Sequence, residues 1–137
     1  MVTGLDEVRF TTEDHKPNNT LERERIEAGG GTVRANRVNG MLAVSRALGD
    51  FEMKKDVNRD QTKQLVSAEA DVTAQERDPN DNFILICCDG VYDVQTNFQL
   101  VKFINDRLPS KYHLKDLMEE LINYCCFTVR IYIVFYG

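Results

Sequence analysis

The sequence predicts an α+β fold, in which helices cover antiparallel strands, and three observations support this class. Apolar residues make up 42% of the chain and charged residues 28%, so enough apolar side chains are present to build a core. Segments with the two-residue period of strands alternate with segments of helical period. The length of 137 residues allows one domain, at roughly 150 residues per domain, and excludes a repeat array.

A short strand and a helix are the first predicted elements. Residues 8–12 alternate between apolar and polar side chains, as a short strand does. Residues 20–28 are helical in character, and Asn19, three residues before Glu22, resembles a capping box. The run Gly29-Gly30-Gly31 predicts the end of this helix, because glycine adopts positive φ without steric cost.

A hairpin and a buried strand are predicted next. Residues 32–35 and 41–44 are typical of strands, and Asn39-Gly40 between them predicts the hairpin turn. The polar residues 54–63 predict an exposed loop. Six apolar residues at 83–88 then predict a strand that is buried on both faces and ends at Asp89-Gly90.

Two helices and a final strand complete the prediction. Thr96 and Gln99 form a capping-box pattern that begins the first helix. Apolar side chains at helical spacing are Leu100, Val101, Ile104 and Leu108 in this helix, then Leu114, Leu117, Met118, Leu121, Ile122 and Cys125 in the next. Residues 127–137 alternate, which predicts a strand whose apolar face carries Val129, Ile131, Ile133 and Phe135.

Composition bears on partners and location. A net charge of −5 and a pI near 5.0 do not favour nucleic-acid binding. No apolar run reaches the ~18 residues that a membrane span needs, and the first 25 residues lack a signal-peptide core. We therefore expect a cytoplasmic or nuclear protein with neither a nucleic-acid nor a membrane partner. The pairs Cys87-Cys88 and Cys125-Cys126 suit neither a zinc site nor a disulfide framework and predict reduced, packed thiols.

Asp89 and Asp93 are the sharpest candidates for chemistry. Both follow the predicted buried strand, and carboxylates at a strand tip are hard oxygen ligands that suit Mg²⁺ or Mn²⁺. The alternative is structural, with Asp89-Gly90 as an ordinary turn and Asp93 as a cap.

Basic residues offer a second candidate site. Arg37 and Arg46 flank a run of apolar residues in the sequence. These arginines could bind a phosphate group through paired donors, or they could be solvated side chains beside a packed hairpin. His15 and His113 belong to no transition-metal pattern, and His113 is expected at the surface. No Gly-x-Ser-x-Gly elbow supports a Ser/His/Asp triad.

Five segments, taken in order and spacing, resemble the type 2C family of metal-dependent protein phosphatases. They are Asp14-His15-Lys16-Pro17, residues 24–30, Arg37-Val38-Asn39-Gly40, residues 42–50 and Cys88-Asp89-Gly90-Val91-Tyr92-Asp93-Val94. The resemblance extends from Val8 to about Cys126 and corresponds to roughly the C-terminal half of the family's catalytic domain.

This resemblance implies a Mg²⁺- or Mn²⁺-dependent Ser/Thr phosphatase that acts on phosphoproteins. The implied fold is a four-layer sandwich of two antiparallel sheets flanked by helices, and the implied reaction is direct attack of a metal-activated water on phosphoserine or phosphothreonine. Asp89 matches a metal-binding Asp of the family, and Asp93 matches a carboxylate of an additional, weaker metal site. Residues 37–66 are similar to the flap beside the family's active site.

The sequence also departs from the family pattern. Three upstream features of the family are absent: the Asp-Gly-His-Gly-Gly motif, the metal-site Glu and the phosphate-binding Arg. The His of that motif is the family's proposed general acid. The late Gly-Ser-x-Asp-Asn motif is absent as well. We therefore expect residues 1–126 to be a partial copy of the domain and residues 127–137 a divergent strand. A truncated gene, a splice form and an expressed fragment remain open as origins.

Three functional readings follow from these departures. The first is that the chain is part of a phosphatase and is nearly inactive by itself. We then expect the isolated chain to bind metal weakly and to self-associate through unpaired strand edges. The second is a noncatalytic, pseudophosphatase-like interaction module. The third is a product that folds poorly.

Overall fold

The computed structural model describes residues 2–3, 7–110 and 113–135, with the side chains of residues 7–110 and 113–128. Its elements are β1 (Val2–Thr3), β2 (Val8–Phe10), α1 (Thr20–Ala28), β3 (Val33–Arg34), β4 (Arg37–Val38), β5 (Phe83–Ile84), α2 (Asp89–Tyr92), α3 (Asn97–Asn105) and α4 (Leu114–Phe135). They form two compact units, each with helices and strands, so the mixed helix-and-strand class is confirmed. The hairpin unit is Glu13–Gln75, and the three-strand unit has the described residues up to Thr12 and from Glu76.

The three-strand unit is built on a small antiparallel sheet. Its strand order is β2-β1-β5, so β1 pairs with both neighbours. Within β1, Val2 lies opposite Phe10 on one side and Ile84 on the other. The buried side chains of this unit's core are Leu85, Leu100, Val101, Phe103, Ile104, Leu117, Leu121 and Cys125. These residues come from the position directly after β5 and from α3 and α4, and the helical spacing predicts most of those in the two helices.

The prediction that residues 83–88 are buried on both faces is wrong. Leu85 is 5% exposed, whereas Ile84 and Ile86 on either side of it are 70% and 89% exposed. Successive side chains of an extended chain point to opposite faces, so only one face of this segment packs against the helices. A continuous apolar run therefore leaves an apolar face in solvent here.

Helix α3 begins as predicted. The Thr96 hydroxyl accepts a hydrogen bond from the Gln99 amide at 3.3 Å, and the Gln99 side chain accepts from the Thr96 amide at 2.8 Å. This reciprocal pair is the capping box that the sequence indicated. Leu108, however, lies beyond the end of α3 in a 3₁₀ turn.

The prediction of a strand at the end of the chain is wrong, because α4 continues as one helix to Phe135. A helix satisfies its backbone hydrogen bonds within its own segment, whereas a strand needs a neighbouring edge. The alternating pattern of residues 127–135 therefore does not decide the backbone conformation. None of the helices that the structure describes is long and apolar enough to span a bilayer.

The hairpin unit has its turn at a different place from the predicted one. Strands β3 and β4 are joined through Ala35 and Asn36, both at positive φ, and Asn39-Gly40 instead forms the next turn. The backbone amide of Asn39 donates to the Thr32 carbonyl at 2.7 Å, and its side chain accepts from the Thr32 amide at 2.9 Å. Asn39 thus closes the open end of the hairpin. The predicted second strand at residues 41–44 is reduced to a single bridge at Leu42.

Helix α1 matches its predicted bounds and ends at the glycine run. Gly30 has a φ of 80°, as a helix-stop glycine does. Gly29 and Gly31 are required for another reason, because the Leu65 side chain packs against both. Around this point Ile26, Val38 and Val66 form a buried core. Residues 54–63 are largely exposed, as the sequence predicts.

Candidate functional site

Asp89 and Asp93 lie at the two ends of the short helix α2. Asp89 is its first residue, immediately after the segment that continues β5, and Asp93 is its C-cap. The backbone amide of Asp93 donates to the Asp89 carbonyl at 2.8 Å. Both residues are exposed. The structure therefore keeps the two predicted carboxylates one helical turn apart at the surface.

The donor chemistry of α2 suits a hard cation, but the number of donors is small. Carboxylate oxygens are the ligands that Mg²⁺ and Mn²⁺ favour. In the part of the chain that the structure describes, no three His, Cys, Asp or Glu residues lie close enough together to hold a metal ion. Asp89 and Asp93 thus do not by themselves form a two-metal centre. Their assignment as metal ligands stays a prediction.

A buried carboxylate in the hairpin unit is a feature that the sequence reading missed. Glu22 is only 2% exposed. One of its oxygens accepts from Arg46 Nε at 3.0 Å and Nη2 at 2.6 Å, and the other accepts from Ser45 Oγ at 2.5 Å. Arg25 Nη2 lies 2.7 Å from that second oxygen. We call Glu22, Arg25, Ser45 and Arg46 the Glu22 network.

The Glu22 network holds its central carboxyl ionised. Burial raises the pKa of Glu22, but hydrogen bonds from Arg46, Arg25 and Ser45 outweigh burial and lower the pKa from its ordinary 4.5 to about 2. Arg46 Nη1 also donates to Asp71 at 2.7 Å, and His15 Nε2 lies 2.9 Å from the other Asp71 oxygen. The hydrogen bond with His15 lowers the pKa of Asp71 most, and the hydrogen bond from Arg46 lowers it further.

This network overturns two predictions. Asn19 and Glu22 do not form a capping box, because the Asn19 side chain donates instead to Glu13 and to the Asp14 carbonyl. Arg46 is neither solvated nor available to phosphate, since carboxylates accept from its guanidinium group. The four-residue spacing of Glu22 and Ile26, which places them on one face of α1, was the signal in the sequence that pointed to a buried Glu22.

The remaining candidates have ordinary surroundings. Arg37 is exposed and donates to the Met41 carbonyl at 2.7 Å, and His113 is exposed as predicted. All four cysteines are free thiols. The prediction of packed thiols is right for Cys125, which is buried, and for Cys87, which is partly buried; burial raises the pKa of both. It is wrong for Cys88 and Cys126, which are exposed.

The sequence model of the protein phosphatase 2C family matches residues 1–128. This chain belongs to the protein phosphatase 2C family. The resemblance carried by the five segments is thereby confirmed. Members of the family are metal-dependent, and their family name implies phosphoprotein substrates.

Individual relatives of the 2C family cover nearly all of this chain. Protein phosphatase ppm-1.A of Caenorhabditis elegans is 47% identical over 126 residues, which are 91% of this chain and 27% of that protein. Human protein phosphatase 1A is 46% identical over 121 residues, which are 88% of this chain and 32% of that protein. The chain therefore spans about three-tenths of the length of these relatives.

Two solved structures superpose on most of this chain. A sex determining protein of C. elegans superposes with a TM-score of 0.76 at 25% identity and covers 93% of this chain and 30% of that one. A phosphatase from Toxoplasma gondii gives 0.68 at 28% identity and covers 85% and 37%. The mixed helix-and-strand fold of this chain is thus shared with these two structures.

Proposed function

We propose that this chain is part of a metal-dependent protein serine/threonine phosphatase. The family match over residues 1–128 is the observation that carries the proposal. In the complete enzyme the substrate is a phosphoprotein carrying phosphoserine or phosphothreonine, the cation is Mg²⁺ or Mn²⁺, and the domain is a four-layer sandwich. A cytoplasmic or nuclear location is proposed with it.

Within that enzyme, this chain supplies one carboxylate of the metal centre and the flap. Asp89 is the proposed ligand because it is an exposed carboxylate at the strand-to-helix junction that the family motif occupies. Asp93 is proposed as a ligand of the weaker, additional site. Residues 37–66 are the proposed flap, which includes Leu48 and Phe51 at the rim of an open cleft of about 600 Å³.

Activity of the chain provides the first test. The 137-residue chain alone is expected to give negligible Mn²⁺-dependent hydrolysis of a phosphopeptide, because one or two carboxylates do not make a dinuclear centre. Mixing the chain with the parts of human protein phosphatase 1A that precede and follow the matched region is expected to give hydrolysis. Asp89→Asn should abolish it, and Asp116→Asn, at an exposed position of α4, should leave it unchanged. Hydrolysis that survives Asp89→Asn would contradict the role given to Asp89.

Metal affinity provides the second test. Isothermal titration of the chain with Mn²⁺ is expected to show weak binding, because Mg²⁺ and similar hard cations keep several waters when only one or two carboxylates are available. Asp89→Asn should weaken this binding further, and Asp116→Asn should not. Two tightly bound ions per chain would show that further ligands had been missed.

The mixing experiment also separates the phosphatase from the alternative function. A mixture of this chain with the remaining parts of protein phosphatase 1A that assembles without gaining activity would favour a noncatalytic interaction module.

A further inference from the structure

Within the hairpin unit, the segment between Ser45 and Ser67 begins and ends at a shared base. At the base, the Ala47 amide donates to the Ser67 carbonyl at 2.9 Å, and the Ser67 amide donates to the Ser45 carbonyl at 3.2 Å. Arg46 and Ser67 form an isolated parallel bridge. We call residues 45–47 and 64–67 the loop base. Two backbone hydrogen bonds, both made by Ser67, join the two halves of this base.

One side chain of α1 contacts both halves of the loop base. Arg25 Nη2 donates to the Ser45 carbonyl at 2.6 Å, and Arg25 Nε donates to the Gln64 carbonyl at 3.2 Å. The Arg25 side chain is 10% exposed, and its Nη2 lies 2.7 Å from a Glu22 carboxylate oxygen. The planar fork of arginine presents several donors in fixed directions, so one side chain can join two carbonyls from separate segments.

From this geometry we propose that Arg25 is the clamp of the loop base. The Arg25 side chain joins the outgoing and returning segments of the loop through the carbonyls of Ser45 and Gln64. The Glu22 carboxylate orients this side chain. Arg25 thereby controls local opening of the loop base, where the Ala47 and Ser67 amides are bonded, without being needed for the turn that holds the Val38 and Asn39 amides. The proposal concerns this chain's own motion and does not depend on phosphatase activity.

Amide hydrogen exchange of the 137-residue chain tests the clamp. Arg25→Lys keeps the positive charge beside Glu22, but a single ammonium group does not reproduce the two-carbonyl fork. The Ala47 and Ser67 amides are expected to exchange about 10- to 100-fold faster in this variant, the range for losing a hydrogen bond from a charged donor. Amides of Val38 and Asn39, bonded elsewhere in the same unit, should change by less than about twofold.

Two further variants separate the clamp from general stabilisation. Arg23→Lys makes the same change on the same helix, at a side chain that pairs with Glu27 at the surface, and is expected to leave all four amides unchanged. Ser45→Ala removes a hydroxyl of the Glu22 network but keeps both carbonyls that Arg25 contacts, so Ala47 and Ser67 should stay protected. Equal acceleration of all four amides in Arg25→Lys, no acceleration, or loss of the fold would each overturn the proposal.

Discussion

Glu22 is the residue on which the charge arrangement of the hairpin unit depends. A buried carboxylate is costly unless each of its oxygens is paired and hydrogen-bonded. Here one oxygen accepts from Arg46 and the other from Arg25 and Ser45, so both are satisfied. Because the two arginines lie on different segments, the same carboxylate connects α1 with the chain that follows the hairpin.

The Glu22→Gln variant is expected to destabilise the chain by about 3–5 kcal/mol, because it leaves two partly buried guanidinium groups without their counter-charge. Urea unfolding followed by circular dichroism measures this loss. Glu24→Gln, an exposed position on the same helix, is the matched control and should change stability by less than about 0.5 kcal/mol. Equal stability of the two variants would contradict the role of Glu22.

The stability that Glu22 contributes should depend on pH. Its pKa is about 2 in the folded chain and near 4.5 in its ordinary state, so the unfolded chain takes up the proton first as pH falls. The contribution is therefore complete above about pH 4.5 and is lost as pH falls towards 2. Asp71, whose pKa is also lowered, acts in the same direction. Unfolding free energies between pH 7 and 2.5 should fall less steeply for Glu22→Gln than for the unaltered chain.

At the scale of an element, the end of α1 is shaped by packing as well as by backbone conformation. A Cβ at Gly31 would lie 2.9 Å from Leu65 Cδ2 and 3.2 Å from the Ile26 carbonyl oxygen. At Gly30, in contrast, a Cβ would meet nothing within 4 Å, and the positive φ is the constraint. Adjacent glycines thus serve different purposes.

The Gly31→Ala variant is expected to cost about 1–3 kcal/mol through crowding against Leu65 and the helix backbone. Thermal or urea unfolding measures the loss. In a Leu65→Ala background the same substitution should cost less, because the crowded side chain has been shortened. Gly30→Ala should cost a similar amount in both backgrounds, since its strain does not involve Leu65. An unchanged cost of Gly31→Ala without Leu65 would exclude this contact as the cause.

At the scale of the whole molecule, an apolar face is left in solvent next to the sheet. Ile84 and Ile86 point away from the core that holds Leu85. Exposed apolar residues along an extended segment favour pairing with another chain. The tail, which is helical as far as Phe135, does not offer the strand edge that the sequence predicted there. The expected site of self-association is therefore β5 together with the segment that follows it.

The chain is expected to self-associate with rising concentration, and Ile86→Lys should reduce this association, because a charged side chain protects an exposed strand edge. Sedimentation velocity over a concentration series measures it. Val57→Lys, at an equally exposed apolar residue in the loop, is the matched control and should have little effect. A monodisperse monomer of the unaltered chain at high concentration would contradict the prediction.

The sequence by itself determined the elements whose signals are local. Helix α1 has its predicted bounds and α3 its predicted capping box, because helical hydrogen bonds and caps join residues only three or four positions apart. The five family segments likewise stand in the sequence, and the match to the family model over residues 1–128 confirms the family that they indicated.

Only the tertiary structure decided which role each of these local groups plays. Glu22 is an ion-pair centre and not a capping residue, because Arg46, 24 positions away, comes to lie beside it. Ile84 is exposed because a strand face is buried only where another layer packs against it. The sequence of the strand itself does not show whether such a layer is present. The tail is helical as far as Phe135, and a helix makes its backbone hydrogen bonds within its own segment. The predicted strand would have needed the edge of a neighbouring strand as its hydrogen-bond partner.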